Sequence, residues 1–321
     1  MPLTLKQLDI KTRLPELPSS VPVFALTVPT LADRRPAIDR LAAEFKLGDL
    51  QCAEFEDVMI MGTERGDIHY FHASGALHAR DATARSDAQD EMRKWAGATP
   101  SDGPERMVFD AATAKRIAGE AKSMLEPLGL FAKEITSSQV TLEQVSQLDA
   151  KGKEIANGAG RATVTFAYAV EGISVRGAGA KTLAFAEPQG DRARFTGAFH
   201  AWRPLAGGTK VTVPAFEKAL GVGLLSDPEL EFYGASGHGI VITRLELAYL
   251  ALPAFMRQSH LFPVMQIEGS VGDGRRGRGF DFARYHHIVP PTAYREAGLI
   301  GPYLAMNPDG IKPRAAKKQP A

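Results

Sequence analysis

Eight histidines are the chain's raw material for metal or acid-base chemistry: His69, His72, His78, His200, His238, His260, His286 and His287. An imidazole changes charge near neutral pH and can ligate a metal, so its neighbours decide its use. His69, His72 and His78 lie within ten residues, but on a strand the odd step from His69 to His72 sends those two to opposite faces. Asp281, Tyr285 and His287 are spaced by even steps, so one face of a regular strand carries a carboxylate, a phenol and an imidazole. That set suits proton transfer, and these three are the candidate catalytic residues. His200 and Trp202 share a face of another strand, ending at Arg203-Pro204. A polar ring beside an indole on a sheet face suits a ligand site, and the same pair suits a sheet that packs on a helix.

The phosphate-binding spellings in the chain all fail on context. Gly272-Asp273-Gly274-Arg275-Arg276-Gly277 has the G-x-G-x-x-G spacing, but Arg278-Gly279-Phe280-Asp281-Phe282 continues it into strand alternation. A dinucleotide loop opens a helix instead. Gly177-Ala178-Gly179-Ala180-Lys181-Thr182 has Ala180 and Val175 where a P-loop needs glycine. Gly234-Ala235-Ser236-Gly237-His238 misses the last glycine of a nucleophile elbow. Cys52 is the single cysteine, which rules out an internal disulfide and a cysteine-based zinc site, and it reads as a small buried hydrophobe and not as a nucleophile. No cofactor and no metal are expected.

Positioning these groups falls to elements that the chain spells in turn. At 321 residues and 44% hydrophobic content it is long enough for two or three packed units. Its 38 basic and 37 acidic residues are intermixed, which implies no broad field for nucleic acid. No run approaches eighteen apolar residues, so no membrane span is expected. Met1 to Ser20 lacks the apolar core of a signal peptide; the sequence as it stands reads as cytoplasmic, or as exported if a leader has been removed.

Thr30 and Asp33 have the spacing of a capping box, and Ile38, Leu41, Ala42 and Phe45 recur on one helical face. Strands are expected at Asp57–Met61, Ile68–His72 and Ala76–His78. A second helix starts after Asp110 and places Ala114, Ile117, Ala118, Ala121 and Leu125 together. Strands follow from Ala162, with later ones at Ile240–Leu250, Leu261–Val271 and Phe280–Val289. Val241, Leu245, Leu247 and Tyr249 share a face opposite Arg244 and Glu246, so one side of that sheet is wet.

The expected class is α+β, with repeated units of one helix packed on a curled antiparallel sheet. The expected organisation is an N-terminal extended segment over 1–29, a first unit over 30–81, a linker over 82–109 and a second unit over 110–203. A C-terminal sheet extension over 204–291 and a segment with a basic tail over 292–321 complete it. The order of helix then strands, with Val170-Glu171-Gly172-Ile173-Ser174-Val175 at a strand turn and Gly177 after it, resembles the PepSY-like domains. These occur in propeptides of thermolysin-type metalloproteases and, in tandem, in the YycH and YycI regulators. The resemblance implies a binding or regulatory role and carries over no catalytic residue.

The leading expectation is therefore a non-catalytic binding or regulatory protein that takes up a peptide or a small apolar ligand on its sheets. A metal-independent enzyme using Asp281, Tyr285 and His287 is the alternative from a different class. A third is an assembly subunit that pairs through sheet edges.

Overall fold

The structure is a computed structural model of the 321-residue chain. It describes residues 3–299 apart from 84–108, 149, 153, 190–191, 223 and 273–278. Nearly all of the expected linker, most of the Gly272–Gly277 loop and the tail from residue 300 thus lie outside the described residues. The fold is mixed α+β, dominated by antiparallel strands with a few helices. It divides into two compact units, one of Met1–Thr27, Leu205–Leu252 and Met256–Ala321, the other of Val28–Pro204 and Pro253–Phe255. Among the described residues no helix is long and apolar enough to cross a membrane.

The chain opens with β1 (Leu8–Ile10) and β2 (Ser20–Leu26), which belong to the first of these units. The second unit begins at α1 (Leu31–Glu44). Its capping box forms as spaced: Asp33 N–H donates to Thr30 Oγ1 at 3.2 Å, and Thr30 N–H donates to the Asp33 carboxylate at 2.8 Å. A meander follows of β3 (Gln51–Glu54), β4 (Val58–Thr63), β5 (Gly66–Phe71) and β6 (Ala76–Asp81). Helix α2 (Ala111–Leu125) is capped by Asp110, whose carboxylate accepts from Ala112 and Thr113 N–H groups.

After α2 come β7 (Ile135–Leu148), β8 (Glu154–Val170), β9 (Ile173–Arg176), β10 (Thr182–Gln189) and β11 (Arg192–His200). Strand β8 pairs with β7 over almost its whole length and also with β9 and β10. Strand β11 then pairs with β6, setting Ala198 opposite Ala79 and His200 opposite Leu77. That pairing joins 30–81 and 110–203 into one sheet. They also share one core: Ile38 and Leu41 of α1 and Ile117, Ala121 and Leu125 of α2 meet Ile68, Leu77, Val164 and Ala184 of the sheet. Each large aliphatic side chain buried there contributes roughly 1.5–3 kcal/mol.

In the other unit, β2 pairs with β12 (Leu205–Thr212) and with the start of β14 (His260–Gly272). Strand β14 also pairs with β13 (Gly239–Leu250) and β15 (Gly279–His287), while β1 runs parallel to β13. Short helices α3 (Phe216–Val222), α4 (Pro228–Ala235) and α5 (Pro291–Glu296) complete it. The even alternation expected of β13 is broken: Ile240 and Ile242 are buried, and so are Leu245 and Tyr249. A register shift between Ile242 and Arg244 inserts one residue, so Val241 and Leu247 of the expected face are only partly buried, while Ala248 beside Tyr249 is buried as well.

Candidate functional site

The two expected site groups occupy different units and different environments. His200 ends β11 on the helix-facing side, 3% exposed, beside Trp202 at 3%. Its Nδ1 lies 2.8 Å from Thr182 Oγ1, and Thr182 also meets the Tyr168 hydroxyl. The ring bonds to the Leu130 carbonyl as well. A carbonyl can only accept, so that bond fixes the N–H there and leaves Nδ1 to accept from Thr182, with Tyr168 donating to Thr182 in turn. Burial, helped by the charge of Arg34, pushes His200 down to about 3, and it is neutral at physiological pH. Tyr168 stacks on Trp202 at 4.6 Å between centroids. His200 and Trp202 thus sit together in a dry, hydrogen-bonded interior. Arg34 is buried nearby, its Nε–H donating to the Gly75 carbonyl at 2.8 Å.

Asp281, Tyr285 and His287 do share one face of β15, as their partners Ser270, Gln266 and Val264 on β14 show. They stand in a row and not around a point: four residues of strand separate Asp281 from Tyr285 by about 13 Å. No hydrogen bond joins the three. Asp281 and Tyr285 are exposed, and His287 packs edge-on against Phe262 at 6.3 Å. Burial pushes His287 down to about 4, and His286 beside it acts in the same direction. The opposite face of the strand is the more charged one. There Arg284 meets Glu229, and His286 Nε2 lies 3.4 Å from Asp227, the residue that caps α4.

A groove of about 690 Å³ with mostly apolar walls lies between α2 and β7. On the helix side it is lined by Ala111, Ala114, Ala118 and Gly119, side chains too short to reach the strand. Its floor is made by Phe131 and Phe166, edge to face at 5.2 Å, and its far wall by Ile135 and Val140. Lys115 and Lys122 stand along it, seven residues and so about 10 Å apart on the same helix face. Lys122 lies over the Phe131 ring at 5.1 Å, and neither lysine has a carboxylate partner among the described residues. The exposed hydroxyl residues Thr136, Ser137 and Ser138 line the strand side.

Sequence reasoning placed Ala114 and Ala118 on one helical face with Ile117, Ala121 and Leu125, and Ala118 does join that core with Ala114 packed against it. The repeat of Lys115 and Lys122 with small residues between them was the available signal of an unfilled face. What it lacked was β7, the other wall. Among the described residues no group of three or more His, Cys, Asp or Glu side chains is placed to hold a metal ion.

No family model and no curated protein matches the chain. Among solved structures it is similar to an uncharacterized protein from Eubacterium rectale ATCC 33656, with a TM-score of 0.49 and 12% identity over 88% of each chain.

Proposed function

We propose that the chain is a non-catalytic binding protein that takes up a small apolar molecule carrying one anionic group, held in the groove between α2 and β7. The carrying observation is the combination of an apolar floor and walls with two lysines that have no carboxylate partner. The apolar surface rewards an aliphatic or aromatic body by displacing water. A carboxylate or similar head at the rim gains a charge-assisted hydrogen bond from Lys115 or Lys122. The resemblance of Asp110–Trp202 to PepSY-like domains supports the same kind of role.

Gly119 provides the test, because a Cβ added there meets nothing within 4 Å and the residue is exposed. Gly119→Phe therefore fills the groove without entering the core. Titration calorimetry with dodecanoate is expected to show one site in the parent protein and at least a tenfold loss in Gly119→Phe. Lys115→Gln with Lys122→Gln is expected to weaken dodecanoate more than the neutral dodecanol. Equal binding by the parent and Gly119→Phe, with unchanged circular dichroism, would place the ligand elsewhere.

A further inference from the structure

Away from the groove, the hairpin of β5 and β6 carries an unused cluster. Ile68, Tyr70, Leu77 and Ala79 point into the core shared with α1 and α2, so Asp67, His69, His78 and Arg80 stand on the opposite face. Register sets His69 directly opposite His78 and Asp67 opposite Arg80. The two imidazole rings are 5.6 Å apart between centroids. With a metal–nitrogen bond of about 2.1 Å, two imidazoles sharing one tetrahedral ion have centroids roughly 5 Å apart, and a slightly wider angle gives the distance seen.

The surroundings favour the same use. His69 Nε2 lies 3.2 Å from Asp67 Oδ1, and Arg80 holds the other carboxylate oxygen at 2.5 Å. The His69 contact is too poorly aligned for a hydrogen bond, so Oδ1 is a buried oxygen without a donor. A small turn of the ring would bring that nitrogen onto Oδ1, and a carboxylate so placed behind one ring nitrogen leaves the other to bind outward. His78 makes ring contacts with His69, Phe185 and Phe199 and no hydrogen bond.

We propose that His69 and His78 together bind one divalent transition-metal ion of the nickel, copper and zinc class, with Asp67 as the residue that orients His69. Two protein ligands leave the remaining positions to water or to a bound molecule, and imidazole nitrogens select these metals over magnesium or calcium. The site is independent of the groove.

The test uses the full chain without an affinity tag and with Cys52→Ser, because the exposed thiol would compete for the same ions. Calorimetry with Ni²⁺ at pH 7.5 is expected to show one ion per chain. His69→Gln and His78→Ala should each weaken binding at least tenfold, and Asp67→Asn about 10–100-fold. His260→Ala should leave binding unchanged. Should His78→Ala fail to fold, His69→Gln carries the test alone. Absence of binding by the Cys52→Ser chain, or equal binding by a folded His69→Gln variant, overturns the site.

Discussion

Thr182 ties two rings that are separated in sequence into one chain of hydrogen bonds, and that chain has a consequence for acid stability. His200 is held neutral in the folded protein with its pKa near 3, against about 6.5 for a free imidazole. Between those values the unfolded chain binds a proton that the folded chain does not. Stability is therefore full above about pH 6.5 and falls as the pH drops below it, by about 1.4 kcal/mol per unit for this one group. Urea unfolding at pH 7 and pH 5 should show that loss, and His200→Gln should make the profile flatter by about 2 kcal/mol over the interval. His287 is also depressed but is present in both proteins, so the difference isolates His200. Parallel pH profiles for the two proteins would remove the buried histidine as the cause. That His200 and Trp202 lie together was legible from alternation alone. Which side of the sheet is dry was not, because alternation does not say where the helices lie.

At the scale of elements, the helices were legible because their ends are written in the sequence. Thr30 with Asp33, and Asp110 alone, make the caps that their types and spacing imply. Strand β7 was not legible. Ile135–Leu148 is rich in Ser, Thr and Gln and becomes a strand by pairing with β8, a tertiary cause that no local propensity contains. The shift after Ile242 is of the same kind, since one inserted residue leaves the composition of β13 unchanged. Two glycines on these elements are expected to respond oppositely. Gly119 is helical with open space around a Cβ, so Gly119→Ala should stabilise by up to about 1 kcal/mol through helix propensity. Gly75, in the β5–β6 turn, has φ +66°, and a Cβ there would lie 2.4 Å from the Pro29 carbonyl oxygen. Gly75→Ala should destabilise by more than Gly119→Ala gains, because both the backbone conformation and the contact oppose it. Thermal melts of the two variants decide this, and a stabilised Gly75→Ala would mean that the turn readily rearranges.

Over the whole molecule, the chain's order in sequence and its order in space diverge most at the N-terminus. Residues 1–29 read as an extended segment, yet β2 within them lies between β12 and β14, with Val23 opposite Thr209 and Phe24 opposite Leu261. Val21 and Val23 are 1% exposed, and Tyr249 donates a hydrogen bond to the Pro22 carbonyl at 2.8 Å. Such pairing across nearly two hundred residues leaves no local trace, because either partner alone is only a short apolar run. Removing 1–27 should therefore damage one unit and spare the other. Three strands would lose a neighbour, β12 and β14 through β2 and β13 through β1, exposing unpaired edges and the apolar side chains beneath them. The unit of Val28–Pro204 keeps its helices, its sheet and its shared core. Hydrogen exchange read by mass spectrometry should show protection lost across β12, β14 and the start of β13 in the shortened chain. Protection of β5, β8 and β10 should stay as in the full chain, because each unit opens by its own contacts. The separate fragment 28–204 should unfold cooperatively and still bind dodecanoate. Loss of protection throughout both units at once would instead make the molecule a single cooperative body, with the groove between α2 and β7 dependent on the strand at the N-terminus.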